Sequence, residues 1–166
     1  MRKKMPDIEY VDDRMETEEL LERLCPPVRN WFMEKFPDFT EPQKVAIPRI
    51  LKGEHLLLCS PTGSGKTLTA FLTIIDDLVR GALDGTLPDS VQCVYISPIK
   101  ALANDIEKNL LGPLGEIKER FLPSRAKEIK VGLRTGDTPQ SEREKMLRKP
   151  PHILLSLIHI SEPTRR

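Results

Sequence analysis

A charge excess is missing from this sequence: 26 Lys and Arg stand against 25 Asp and Glu, a formal net charge of +1. No global basic field advertises nucleic acid, so any contact with a polyanion has to be local. Long apolar runs are missing too. No stretch approaches the roughly 20 residues that a membrane span needs, and the opening MRKKMPDIEY lacks the hydrophobic region of a signal peptide. A cytoplasmic protein without membrane contact is the expectation. Cysteine is sparse: Cys25, Cys59 and Cys93 match no metal-ligand spacing and two lie in apolar runs, which points to buried free thiols in a reducing compartment and to no metal cluster. His55, His152 and His159 follow no catalytic or metal spacing either, and the first and second flank strand candidates, where structural roles are commoner. Internal repeats and low-complexity tracts are absent. The 166 residues suit one domain with one core.

What is present is an ordered alternation. Residues 1 to 16 mix charges of both signs and suggest a loosely held arm. TEELLERL and VRNWFMEKF have helical patterns, the second with Val28, Trp31, Phe32 and Phe36 on one face, a core stripe. In FTEPQKVAIPRILKGE, Thr40 and Gln43 have the spacing of a capping box, and Pro48 should break or kink the helix. The chain then alternates strand and helix. His55 to Ser60 is a buried-strand candidate, Gly65 to Arg80 a helix, GALDGTLPDS a polar connection, and VQCVYIS a strand. Pro98 can open a helix capped by Ser97, with Leu102, Ile106 and Leu110 as its apolar stripe. A second amphipathic stretch near Ile117, the strand IKVGLR, the loop TGDT, a helix from Pro139 to Leu147 and an apolar run from His152 complete the pattern. Strands and helices so spaced predict an α/β fold, a parallel sheet with helices on both faces that binds ligands beyond the carboxyl ends of its strands.

The strongest single signal is SPTGSGKT, Ser60 to Thr67, between a strand candidate and a helix. Gly63 and Gly65 permit backbone angles that turn successive N–H groups toward one point, where the new helix presents its positive end. Ser60, Pro61, Thr62, Gly63, Ser64 and Gly65 would wrap an anion, Lys66 would reach the β- and γ-phosphates, and the Thr67 hydroxyl would hold Mg²⁺. Serine stands at position 60 where the strict P-loop pattern has glycine. The two inner glycines still supply the turn.

SPTGSGKT resembles motif I of the DEAD/DEAH-box superfamily of helicases, FTEPQKVAIPRIL looks like its upstream Q-motif region, and YISPIKALANDI like its motif Ia. The wording of SPTGSGKT, SPIKAL and RTGDTPQSER is most similar to the large-helicase-related (Lhr) group, over roughly residues 28 to 154. The resemblance implies a RecA-like P-loop domain that uses ATP and Mg²⁺. It gives Gln43 an adenine contact, since its amide offers one donor and one acceptor; the same residue also serves as a helix cap. It implies that Pro98, Lys100 and Ala101, and then Arg134, Thr135 and Gly136, touch the backbone of DNA or RNA. Exposed N–H groups and basic side chains there bind phosphate without reading sequence. A plain helix start and an ordinary turn remain alternative readings of those two loops. SEREKMLRK is most simply a solvated helix face with alternating charges.

Holding ATP and splitting it are separate tasks. In the superfamily an Asp-Glu pair follows a later strand and arginines come from a second RecA-like domain; this sequence has no Asp-Glu dipeptide. After HILL the chain continues LSLIHISEPTRR, of which LSLIHISEPTR is similar to the translation of a sequencing-library transposase adapter. The expected organisation is thus an arm (1–16), an incomplete RecA-like ATP-binding domain (17–154) and a non-native tail (155–166). Its strand-forming run ILLSLIHI invites pairing between chains. The expected function is ATP binding and nucleic-acid backbone binding as the front part of an ATP-dependent helicase, with no hydrolysis by this piece alone. A P-loop module without enzymatic activity and a double-strand translocase are the alternatives.

Overall fold

A computed structural model describes residues 9–98 and 105–158 of the chain. Three short helices come first: α1 (Thr17–Arg23), α2 (Pro26–Lys35) and α3 (Glu41–Leu51). The capping box forms as its spacing predicts, with the Thr40 N–H donating to Gln43 Oε1 at 2.9 Å. Pro48, in contrast, does not end the helix, which runs on to Leu51. Proline has no N–H to offer the carbonyl four residues back, and the Met15 N–H takes that carbonyl, Lys44 O, at 3.1 Å. The end of the arm is thereby held against α3, helped by Arg14 to Glu41 at 3.0 Å and by the Arg49–Asp13 ion pair.

The long helix α4 (Lys66–Asp84) consumes GALD, part of the expected polar connection, and stops at Gly85, whose φ of +72° is the left-handed conformation that ends helices. Then come β1 (Cys93–Pro98), a π-helical turn (Glu107–Leu111) leading into α5 (Gly112–Phe121), β2 (Val131–Arg134), α6 (Gln140–Arg148) and β3 (Ile153–Ile158). The stretch near Ile117 is a continuation of the preceding helix: Pro113 brings no N–H, and the widened turn before it absorbs the misfit. Ile106 and Leu110 are buried as expected, while Leu102 lies outside the described residues.

The sheet is parallel, in the order β1-β3-β2, with Tyr95 and Leu133 both opposite Leu155. Ile153 and Leu155 are buried, and Phe71 of α4 packs on Tyr95 with ring centroids 4.8 Å apart. The opposite face carries the Val94, Leu154 and Gly132 row. A side chain at Gly132 would collide with Pro151 and reach Met146 of α6, so helices do lie on both faces. The second cover is thin: Val94 and Ile96 remain 54% and 59% exposed. The central strand β3 runs through position 154, so the boundary expected there from the tail falls inside a strand rather than between elements.

One expected strand does not form. Residues 54–60 pair with no strand among the described residues, and Leu57 is 86% exposed. An apolar run becomes a strand only where a neighbouring ladder satisfies its N–H and C=O groups, and among the described residues none pairs with this one.

His152 ties the amino-terminal edge of the sheet together. Its N–H donates to Lys130 O at 2.8 Å, its Nδ1 accepts the Lys130 N–H at 2.9 Å, and its carbonyl accepts the Gln92 and Cys93 N–H groups. The side chain is fully buried, with Nε2 unpartnered among the described residues. Burial pushes its pKa below the ordinary 6.5, and Lys127 and Lys130 push the same way against Asp89. A lowered value means that the unfolded chain binds the extra proton first. This contribution to stability is therefore complete above about pH 6.5 and is lost as pH falls toward the folded-state value. We expect the urea midpoint to fall between pH 7 and pH 5, and to fall less steeply in His152→Gln; identical slopes would refute this.

Candidate nucleotide and nucleic-acid site

The glycine-rich turn has the geometry its residues suggest. Gly63 and Gly65 have φ of +81° and +84°, and Gly65 precedes the first residue of α4. Both angles strain any residue with a Cβ. At Gly65 a Cβ would also lie 2.7 Å from Gln43 Nε2. Lys66 folds back over the turn, its Nζ donating to Ser60 O at 2.5 Å and Pro61 O at 2.6 Å. The ammonium group is thus held at the loop by two of the loop's own carbonyls. Thr67 and Lys66 line one open cleft of about 480 Å³, together with His55, Leu58 and Tyr95.

Sequence reasoning missed how the turn is supported. Ser60, the departure from the strict pattern, bonds through its hydroxyl to the Ser64 hydroxyl at 2.6 Å and so closes the loop on itself. From α3, Thr40 Oγ1 donates to Ser64 O at 2.9 Å, and Gln43 Nε2 lies 3.5 Å from Gly65 O. The capping box was the visible signal for both residues; that the cap leans on the phosphate loop is a tertiary fact. Gln43 is buried, with its carbonyl committed to the Thr40 N–H. Its amide nitrogen, on the longer bond, is the half that could change partners.

The sheet orders the remaining candidates. The Lys127 N–H donates to Ala82 O near the end of α4, and the chain from there leads into the start of β1. Helix α4 therefore runs against the strands, which places its first turn at their carboxyl edge. Ser97 and Pro98 are the last residues of β1, paired with β3, and not the cap and first residue of a helix as expected. Pro98 and Arg134 thus end β1 and β2 at that same edge, and Thr135 and Gly136 follow. The glycine-rich turn lies on the β1 side, where Tyr95 lines the same cleft as Lys66 and Thr67, and β3 stands between β1 and β2. Lys100 and Ala101 lie outside the described residues.

Against the expected burial of the thiols, Cys59 is exposed, because the segment that carries it joins no strand among the described residues. Cys25 is buried, and burial and the neighbouring Asp76 push its thiol up to about 12, so it stays protonated. Among the described residues no group of three His, Cys, Asp or Glu could hold a metal ion, and no helix is long and apolar enough to cross a membrane.

Comparisons with known proteins bear on the same segments. The chain is 45% identical over 154 residues to the ATP-dependent helicase Lhr-Core of Methanocaldococcus jannaschii, covering 92% of this chain and 18% of that protein. It is 56% identical over 134 residues to the Lhr-Core of Methanothermobacter thermautotrophicus, covering 80% and 16%. It spans less than a fifth of either relative. Among solved structures it is similar to Mycobacterium smegmatis helicase Lhr bound to ssDNA and AMP-PNP, with a TM-score of 0.67 and 41% identity over 82% of this chain and 17% of that one. The parallel sheet with its helices is accordingly the RecA-like arrangement of helicases, present in part. A profile of the DEAD/DEAH box helicases matches residues 40–160, from the capping box through the phosphate loop to the central strand, and with these relatives it makes the chain a member of the DEAD/DEAH box helicase family, alongside the Lhr helicases.

Proposed function

We propose that this chain binds Mg·ATP in the 60–67 turn and a nucleic-acid backbone along the carboxyl edge of the sheet, as part of an ATP-dependent helicase. The observation that carries the reading is the conformation of the turn: two glycines at positive φ immediately before a 19-residue helix, with Lys66 folded over them. Such a turn aims N–H groups and the positive end of the helix at one point, which favours a phosphate. Thr67 would hold Mg²⁺, which neutralises charge on the phosphates. Gln43 would meet the adenine by releasing Gly65 O, so that base binding and loop conformation are linked through one amide. Arg134, exposed at the end of β2, would meet a phosphate of the strand.

The 166 residues hold no Asp-Glu dipeptide, and in this reading the arginines that steady the transferred phosphoryl group belong to a second domain outside them. Loss of the arginine contribution alone lowers phosphoryl-transfer rates by about 10³ to 10⁵. The chain by itself therefore binds without turnover. Calorimetric titration with Mg·ATP should show saturable binding while a phosphate-release assay on the same sample stays at background. Absence of saturable binding, or release that Lys66→Ala abolishes, would each overturn part of this reading.

A further inference from the structure

The turn after β2 is built by a residue that lies outside it. Within the turn, the Thr135 N–H donates to Thr138 Oγ1 at 2.7 Å, and the Thr138 N–H returns to Thr135 O at 3.3 Å. Arg143, one turn into α6, then grips two carbonyls: its Nε donates to Thr138 O and its Nη2 to Gly136 O, each at 2.8 Å. A planar guanidinium that engages two acceptors fixes their direction as well as their distance.

The consequence lies in the peptide plane. In a trans peptide the C=O and the following N–H point in opposite directions. Drawing the Gly136 carbonyl toward α6 therefore turns the Asp137 N–H away from α6. That N–H, and that of Gly136, donate to no partner among the described residues. Gly136 is exposed, and a Cβ there would meet nothing within 4 Å, so the approach is open. Nothing else in the turn would hold this peptide in one orientation: the Thr135–Thr138 bonds span it without touching it.

We propose that Arg143 is a positioning residue for nucleic-acid binding: it orients the Gly136–Asp137 peptide so that its N–H meets a backbone phosphate beside Arg134. The inference rests on the reading of residues 134–136 as a phosphate contact. It separates two roles for the Arg143 charge, since a guanidinium acting only through its field could be replaced by any cation, whereas the fork cannot.

The test uses the full chain and a labelled oligothymidylate of about 12 nucleotides, followed by fluorescence anisotropy. Arg143→Lys keeps the charge and loses the fork, and is expected to weaken binding about fivefold, close to the effect of Arg143→Gln, as befits the loss of one oriented hydrogen bond. Thr138→Val, which loosens the same turn from inside, should weaken binding in the same sense, while Mg·ATP affinity stays unchanged in all three. Arg143→Lys binding as tightly as the parent chain overturns the inference. If Arg134→Gln also leaves binding untouched, the contact reading of the loop falls with it, and if the parent chain does not bind the oligonucleotide the nucleic-acid reading itself fails.

Discussion

Replacing Lys66 by alanine is expected to weaken Mg·ATP binding by about 100-fold, the consequence of removing a charge-assisted contact to phosphate in a partly enclosed site. The fold should be unaffected. Lys66 is half-exposed, its partners among the described residues are the Ser60 and Pro61 carbonyls of its own loop, and both can turn to water when it leaves. The effect thus falls on the ligand and leaves the unfolding midpoint in place, a combination that a general structural role would not produce. Lys66→Arg should recover little, because the wider guanidinium does not fit the distance set by the two carbonyls. Calorimetric titration of the three proteins decides the matter: affinity unchanged in Lys66→Ala would show that the loop is a turn and nothing more.

The largest effect on stability is expected at Asp76, whose replacement by alanine should cost about 3 kcal/mol and lower Tm by about 10 °C in a chain of this length. Asp76 lies on the core face of α4, 1% exposed. Its Oδ1 accepts the Cys25 N–H at 2.6 Å and its Oδ2 the Arg80 Nε–H at 2.7 Å, and Arg80 in turn donates to the Arg23 carbonyl. The reason a carboxylate is needed there is sequential. Helix α2 begins Pro26-Pro27, two residues without N–H groups, so the last donor before them is the N–H of the buried Cys25, which Asp76 takes up. Alanine would leave that N–H without a partner, which costs about 1–3 kcal/mol, and would strip Arg80 of its anchor as well. Asp76→Asn retains one acceptor and should lose less. A thermal melt in which Asp76→Ala unfolds with the parent chain would show that the carboxylate is not what joins α2 to α4.

Neither Asp76 nor Arg143 is visible as anything but an ordinary polar residue on a helix. Within IIDDLVR the first aspartate falls in line with apolar neighbours, which is a local oddity, yet its partner is 51 positions away. Arg143 sits in SEREKMLRK, where alternating charges suggest a solvated face, and most of that helix is solvated; only this side chain turns back on the loop before it. The conformation of the 60–67 turn was legible because its causes are local: glycine at φ above +80°, a helix start and a lysine all fall within eight residues. The segment 54–60 was misread for the converse reason. Its apolar character is intrinsic, but strand formation depends on a partner, and among the described residues none is beside it.

By itself the sequence determined the elements whose causes lie within a turn or two of chain: the capping box at Thr40, the positive-φ glycines and the helix that follows them. Tertiary structure decided which groups meet across the chain. It set α3 behind the phosphate loop, brought Arg134 to the same edge as Lys66, placed His152 at the junction of three strands, and let Met15 complete the carbonyl that Pro48 leaves free. The physical reason is that backbone angles and caps are settled by neighbouring residues, whereas the partner of a buried or turned-in polar group is chosen only when distant segments pack together.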